Sequence, residues 1–463
     1  MLRFLKYTIY ILLIGALASS EVSAQTKKKK KAKKHHNSIK KHKKAKYYKP
    51  LPPPAPKPVY DFAQLQDTAN PLEKIFSQDQ TFYNDFLAKK DQRRIQIIYT
   101  RIDRDKNNIP SFKEYKFNVS PYTYFYPASC VKLPLAALTL EKLHQLNIPG
   151  ISKETPLTVD SVNTCQYPTI WDSTASGYRA SFGHYIKKIL LVSDNDAYNR
   201  LFEYNGTQHI HNRLSQLNLP DIRITHRFFA CDSIANKYTN RFNFLDPTGA
   251  VFYTQQSMYD SNIYSRPIGT VTVGNSYLDF DNKLKPYPKN FSDRNYFKLE
   301  DINGVLKRLI FPESFNRNQR FDLDESDYRF MRKYMSTYAT ESIEPIYDSV
   351  HGYFDCIKKY LVYGQKRDTV VNKQLRIFNI VGFSYGFLVD CAYIIDFETQ
   401  TEFMLSAVIY SNESEILNWN KYEYYTVGMP FLKKLGQDIL KLEKQRPKAL
   451  VPDLSQFIFD YKK

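Results

Sequence analysis

The chain has 463 residues, enough for one large domain or two smaller ones, and a formal net charge of +19. Residues 25–58 carry 14 lysines and no acidic residue. Removing +14 for this segment and +1 for residues 1–24 leaves +4, so the rest of the chain is only mildly basic. The charge is therefore a property of one segment and does not by itself indicate a nucleic-acid-binding fold.

The first 24 residues have the pattern of a secretory signal peptide. Arg3 and Lys6 precede a short apolar run over 9–18, and Val22-Ser23-Ala24 provides a small-residue cleavage site. The apolar run is too short to span a bilayer, although an uncleaved anchor is the alternative interpretation. We therefore expect cleavage after Ala24 and an exported protein, periplasmic or extracellular.

Residues 25–59 are predicted to form a disordered tether rich in lysine and proline. A run of lysines cannot build a core, and the prolines of 50–58 favour an extended polyproline conformation. In an exported protein these lysines could contact an anionic membrane or wall polymer, or simply remain solvated without a specific partner. We expect no specific nucleic acid, and we place the folded domain at 60–463.

The folded part is predicted to begin with a helix over 71–89 and a hairpin of two strands over 95–101 and 112–118. Further predicted helices lie at 133–146, 182–202 (broken near its middle), 212–217, 299–311, 326–338 and 422–443, and further strands at 376–381, 385–396 and 402–410. Between 228 and about 292 we expect loops and short strands. Strands near both ends with helices between them predict an α+β fold whose terminal segments share one antiparallel sheet.

Nothing in the sequence indicates a metal or a cofactor. The cysteines are widely spaced, without a metal-binding pattern, and their odd number leaves at least one free or paired between chains. They are Cys130, Cys165, Cys231, Cys356 and Cys391. His209 and His211 are two apart on a predicted helix and so face different ways. A glycine-rich phosphate loop and internal repeats are also missing, so we expect no cofactor.

Ser129-Cys130-Val131-Lys132 opens the apolar helix and carries the first candidate chemistry. Lys132 follows Ser129 by three residues, so both side chains lie on one helix face. A serine hydroxyl needs an adjacent base, and a lysine in a dry pocket can lose its proton near neutral pH. The N–H groups of the helix N-terminus favour an oxyanion nearby. Alone the motif is short, and a helix start with a surface lysine is the alternative.

Two further segments lie downstream in an order that adds weight to the first. Ser193-Asp194-Asn195 interrupts the helical stretch, because short polar residues favour caps and turns. Ile380-Val381-Gly382 lies on a predicted strand that turns through 384–386 into a second strand.

Together the three segments resemble the Ser-x-x-Lys, Ser-Asp-Asn and Lys-Thr-Gly motifs of the penicillin-recognising serine enzymes. The hairpin before Ser129 and the strands after the third motif are similar to those of class A β-lactamases. The resemblance covers about 67–443. It implies a β-lactamase/transpeptidase-like α+β fold, with an antiparallel sheet flanked by helices, an all-helical lobe, and a long insertion before the third motif, within about 232–369.

The resemblance also implies roles for individual residues. Catalytic residues would be Ser129, Lys132 and Ser193, and substrate-binding residues would be Asn195, Val381, Gly382 and Phe383. Ser129 would be acylated, Lys132 would deprotonate it, and Ser193 would relay a proton to the leaving nitrogen. Asn195 would bind a substrate amide and steady Lys132. Main-chain N–H groups of Ser129 and Phe383 would bind the oxyanion.

Two departures from the family pattern bear on efficiency. Ile380 replaces the lysine that supplies positive charge, and Arg376, four residues upstream and roughly 13 Å away, does not obviously replace it. Class A enzymes activate the deacylating water with a loop glutamate. Spacing puts that loop near 226–229, which contains no glutamate, and assigning Asp232 instead would be a guess.

The sequence thus predicts an exported serine hydrolase that forms an acyl-serine on an amide or ester and turns over β-lactams poorly. The alternatives are a wall-peptide peptidase or transpeptidase, and a catalytically decayed binding protein on the same fold.

Overall fold

The structure, a computed structural model, describes residues 59–64, 69–162, 167–228 and 231–461. The predicted signal peptide and, apart from Val59, the predicted tether lie outside these residues, as does Cys165. Within the described ranges no helix combines the length and apolarity that crossing a membrane requires.

The secondary structure follows the predicted order. The strands are β1 (Gln96–Arg104), β2 (Pro110–Phe117), β3 (Leu157–Val159), β4 (Phe242–Leu245), β5 (Val251–Gln255), β6 (Thr272–Val273), β7 (Ser276–Leu278), β8 (Leu284–Lys285), β9 (Lys289–Asn290), β10 (Leu375–Ser384), β11 (Phe387–Asp396), β12 (Thr401–Tyr410) and β13 (Ile416–Leu417). The α-helices are α1 (Pro71–Gln78), α2 (Gln80–Ala88), α3 (Lys132–Leu146), α4 (Phe182–Val192), α5 (Asn195–Asn205), α6 (Thr207–Gln216), α7 (Leu299–Ile310), α8 (Glu325–Ser336) and α9 (Met429–Gln445).

A five-stranded antiparallel sheet joins the two ends of the folded region. Its strand order is β10-β11-β12-β1-β2, with Gln96 of β1 opposite Val408 of β12. The α+β prediction, with strands from both ends sharing one sheet, is therefore confirmed. Every residue of β11 and β12 is buried, because helices and loops cover both faces of the sheet.

Side chains alternate between two separate cores along the sheet. Ile380 and Val389 lie in a core shared with the helices α3 to α8. Val381 and Leu388 lie in a second core, closed by α1, α2 and α9. The face of β10 that contains Ile380 is consequently the one that meets the helical lobe and the Ser129 turn.

Two predicted helices differ from the structure, one by a break and one at its start. The predicted helix over 71–89 is two helices, because the Asp79 carboxylate caps α2 by accepting from the N–H of Phe82 at 3.2 Å. The last helix begins at Met429, after a wide turn over Tyr424–Gly428, rather than at 422.

The insertion before the third motif consists of two parts. Residues 217–228 and 231–298 form short strands and loops, and residues 337–374 form an irregular segment between α8 and β10. Asp390 of β11 fastens the second part to the sheet, since its Oδ2 accepts from the main-chain N–H groups of Tyr360 (3.1 Å) and Leu361 (3.0 Å). A buried carboxylate held in this way fixes the path of the chain on both sides of it.

Candidate active site

Ser129 lies in a short 3-10 turn, Ala128–Val131, that leads directly into α3. Ser129 is partly exposed, whereas its neighbours Cys130 and Val131 are fully buried. Burial raises the pKa of the Cys130 thiol well above its usual range, which disfavours the thiolate. The turn therefore presents the serine hydroxyl, and not the thiol, as the accessible nucleophile.

Lys132 connects the first motif with the second. Its side chain is fully buried, and its Nζ donates to Ser193 Oγ at 2.9 Å, to the Ser193 carbonyl, and to Asn195 Oδ1 at 2.8 Å. The break between α4 and α5 makes this possible. Ser193 adopts a left-handed conformation (φ 63°), and the Asp194 carboxylate caps α5 by accepting from the N–H of Ala197 at 2.8 Å.

Burial lowers the pKa of Lys132 well below its usual value, because the ammonium has lost its hydration. The Asp194 carboxylate and Cys130 oppose this shift, whereas the positive charge of Lys358 adds to it. The three oxygen acceptors around Nζ also favour the charged form, but the loss of hydration is the largest effect. Lys132 is thus suited to act as a base near neutral pH.

The contact between Ser129 and Lys132 is looser than that between Lys132 and the second motif. In the described part of the chain no hydrogen bond joins Lys132 Nζ to Ser129 Oγ. Catalytic hydrogen bonds are often long before substrate binds, so proton transfer between these two groups stays a prediction.

Gly382 allows the third motif to approach the Ser129 turn. A Cβ built on Gly382 would lie 2.4 Å from the Pro127 carbonyl oxygen and 3.3 Å from Cys130 Sγ. Only a residue without a side chain fits there without displacing main-chain atoms. The close approach places the edge strand β10 directly against the element that carries Ser129.

The main chain of Phe383 is available on the open edge of the sheet. Ser384 pairs with Phe387 across a two-residue turn whose residues, Tyr385 and Gly386, both have positive φ. Hydrogen-bonded and non-hydrogen-bonded pairs alternate in antiparallel sheets, so Phe383, opposite Leu388, directs its N–H away from β11. This N–H could therefore contribute to an oxyanion hole beside Ser129.

Val381 does not offer its side chain to a substrate. It is 2% exposed and packs in the second core, so only its main chain could take part in binding. Ile380 is fully buried on the opposite face and brings no charge to the site. Arg376 does not compensate, because it is paired with Glu341 at 2.7 Å and lies over the ring of Tyr461.

Phe228 lies in the segment 226–229, where spacing along the sequence puts the loop of the deacylating glutamate. Lys132 Nζ is 5.4 Å from the centre of the Phe228 ring. Asn199 fixes this loop, since its side chain accepts from the Phe228 N–H at 2.8 Å and donates to the Phe228 carbonyl at 3.0 Å. Asp232 instead accepts from the main chain of its own turn. Among the described residues of the loop, an aromatic ring and not a carboxylate faces Lys132.

Sequence reasoning missed Lys358 altogether. Its buried Nζ donates to the carbonyls of Ile189 (3.2 Å) and Leu190 near the end of α4, about one helical turn before Ser193. Lys358 belongs to no recognisable motif and lies in an irregular segment, so only the folded path of that segment reveals its location.

We predict that Gly382→Ala will separate β10 from the Ser129 turn. The new Cβ must displace the Pro127 carbonyl, so we expect a loss of about 1–3 kcal/mol in the free energy of unfolding and at least about tenfold slower acylation of Ser129. Urea unfolding and the rate of labelling by a serine-reactive probe would measure both. Gly304→Ala on α7 is the matched control, because the atoms nearest to its Cβ belong to side chains, Arg308 Nη1 at 3.1 Å and Leu219 Cδ2 at 3.9 Å. Unchanged labelling in Gly382→Ala would contradict the close approach.

Residues 82–259, fewer than half of the chain, match the model of a β-lactamase enzyme family. No curated protein matches the chain in sequence.

Several solved structures are similar to the chain, at low sequence identity. One is a β-lactamase from Sphaerobacter thermophilus (10% identity, TM-score 0.43, 83% of this chain and 100% of that one). Another is a class A β-lactamase from Mycobacterium abscessus (11% identity, TM-score 0.41, 80% and 98%). The third is a PBP-A mutant in an acyl-enzyme complex with penicillin G (8% identity, TM-score 0.42, 81% and 97%). The family match over residues 82–259 includes the first two motifs, Ser129 to Lys132 and Ser193 to Asn195, so this part of the chain is similar to β-lactamase enzymes.

Proposed function

We propose that the protein cleaves an amide or ester bond through an acyl intermediate on Ser129. The observation that carries this proposal is the buried Lys132, held by Ser193 and Asn195 one helical turn from the partly exposed serine. Burying the ammonium of a lysine costs folding free energy even when hydrogen-bond acceptors surround it. Its position beside a serine suits a base that activates the hydroxyl.

In the proposed reaction, neutral Lys132 accepts the proton of the Ser129 hydroxyl as Oγ attacks the substrate carbonyl. The main-chain N–H groups of Ser129 and Phe383 would stabilise the oxyanion that develops. Ser193 Oγ, which contacts Lys132 Nζ at 2.9 Å, would pass a proton to the leaving group. Collapse of the tetrahedral intermediate would then leave the acyl group on Ser129.

The acyl intermediate should be long-lived, because Phe228 occupies the position from which a carboxylate would activate water. The buried Ile380 likewise offers no cation to a substrate carboxylate. Phe383 is 39% exposed and packs its ring 4.1 Å from that of Tyr424, which provides an apolar surface beside the same strand. These features support a poor β-lactam hydrolase that acts on another amide or ester.

The second candidate function is a wall-peptide peptidase or transpeptidase. The Phe228 ring favours it, because an acyl-enzyme protected from water can persist until an amine acceptor arrives. The predicted signal peptide and tether would bring the enzyme to such a substrate outside the cytoplasm. The intact set of Ser129, Lys132, Ser193 and Asn195 argues against a decayed binding protein.

A labelling experiment tests the proposed function. Intact protein treated with a fluorescent penicillin or a fluorophosphonate should gain one adduct on the peptide that contains Ser129, and Ser129→Ala should gain none. Cys130→Ala, the matched control one residue away, should label as the wild type does because its thiol is buried. Labelling that persists in Ser129→Ala, or a wild type inert to both probes, would refute the assignment.

A second experiment tests the role given to Phe228. Phe228→Glu places a carboxylate near Lys132, so the acyl-enzyme should hydrolyse about tenfold faster or more. The adduct lifetime is measured after removal of excess penicillin, which makes it independent of the acylation rate. Phe228→Gln, of similar size but without a base, should keep the long lifetime. Equal lifetimes in folded Phe228→Glu and Phe228→Gln would show that this ring does not limit deacylation.

A further inference from the structure

The third motif has Ile380 in place of a lysine, so the site lacks the positive charge that this lysine would supply. Ile380 is buried and uncharged, and Arg376 is engaged with Glu341, so β10 supplies no free positive charge near Lys132. A positive charge near Lys132 would nevertheless help it to act as a base, because a like charge disfavours the protonated form of Lys132. The segment 337–374, which precedes β10, provides such a charge.

We propose that Lys358 is a positioning residue whose ammonium, delivered from this segment rather than from β10, keeps Lys132 in its neutral form. The inference rests on the proposed function, because it assigns Lys358 a role in preparing the base of that reaction. Lys358 does not touch substrate in this account. It acts only through its charge on Lys132.

The main chain of Lys358 is fastened to the sheet. Its carbonyl accepts from Asn379 Nδ2 at 2.7 Å, and Asn379 is the residue of β10 immediately before Ile380. Its N–H donates to Gln365 Oε1 at 2.9 Å. The next residues along the chain are bound by Asp390, to which Asn379 also donates at 2.8 Å. Lys358 is therefore anchored at the edge strand β10 through Asn379, which is next to Ile380 in sequence but on the opposite face of the sheet from the Ile380 side chain.

The side chain of Lys358 runs from this point to the end of α4. It is 4% exposed, and its Nζ donates to the carbonyls of Ile189 and Leu190. The Ile189 carbonyl also accepts from the N–H of Ser193 at 3.1 Å, and Ser193 in turn binds Lys132. The negative end of a helix dipole favours a cation there. One shared carbonyl thus connects the Lys358 ammonium to the group that holds Lys132.

Other charged groups near the two lysines set the direction of the effect. Asp194, on the α4–α5 connection, and Cys130 raise the pKa of Lys132, whereas Lys358 lowers it. Burial lowers the pKa of Lys358 to about 7, and Asp390 opposes that shift. The neighbouring Lys359 is turned aside, because its Nζ donates to the Met335 and Ile377 carbonyls and to Asn379 Oδ1.

The sign of the pH dependence follows from these directions. Lys358 is charged below about pH 7 and exerts its full effect there. Removing its charge should raise the pKa of Lys132, so that below about pH 7 more of Lys132 is protonated and fewer molecules hold a competent base.

The test follows the protonation of Lys132 itself. Full-length mature protein labelled with ε-¹³C-lysine is titrated by NMR, and the Lys132 signal is assigned as the one lost in Lys132→Met. In Lys358→Met and Lys358→Gln the Lys132 midpoint should rise by about one pH unit. Lys358→Arg keeps the charge and should keep the midpoint. Lys366→Met, an exposed lysine of the same segment, is the control for a general change in net charge.

The rate of Ser129 labelling by a fluorophosphonate should show the same shift. In Lys358→Met and Lys358→Gln labelling should slow by up to about tenfold below about pH 7, where the wild-type Lys358 is charged, and recover at higher pH, while Lys358→Arg remains as the wild type. A loss that is uniform over pH, or an unchanged Lys132 midpoint in a folded neutral variant, would overturn the proposal. So would failure of both neutral variants to fold, since Lys358 would then be structural.

The two measurements distinguish failure of the Lys358 proposal from failure of the proposed hydrolase function. If the Lys132 midpoint moves as expected but the wild type never labels at Ser129, the electrostatic role of Lys358 stands and the proposed hydrolase function falls. If Ser129 labels normally and the midpoint does not move, the hydrolase function stands and Lys358 has no such role.

Discussion

Burial of the Lys132 side chain is the constraint on which the site depends. Removing a charged lysine from water costs free energy. The three oxygen acceptors around Nζ offset part of this cost but do not replace the lost hydration. Those partners exist only because α4 ends at Ser193 in a left-handed conformation and Asp194 starts α5. The helix break, which is locally unfavourable, is thus what turns a buried lysine into a candidate base.

The rest of the site is less polar than the motifs alone suggest. An aromatic ring faces Lys132 from the loop at Phe228, and an isoleucine occupies the strand position from which a cation would project. Neither residue brings a charge to the site, and in the proposed reaction this favours slow release of an acyl group over rapid hydrolysis. In our account the missing charge comes from Lys358, so the chain preserves an electrostatic role while changing the residue that performs it.

Much of the fold and part of the site could be predicted from sequence because both depend on local patterns. Strand alternation, helical periodicity and the polar run at Ser193 indicated the shared sheet and the helix break, and the resemblance of the three motifs to those of a known family implied that they form one site. The direction of the Val381 side chain depends on which core its face of the sheet meets. The position of Lys358 depends on contacts with Asn379 and Asp390, distant in sequence, which no local pattern encodes.

In the proposed reaction, Ser129 and the edge of β10 bind one substrate carbonyl between them. A crystal structure of the protein acylated by a penicillin tests this most directly. We expect a bond from Ser129 Oγ to the acyl carbon, with the acyl oxygen about 2.7–3.1 Å from the main-chain nitrogens of Ser129 and Phe383. An adduct on another residue, or an acyl oxygen directed away from the Phe383 N–H, would contradict the account.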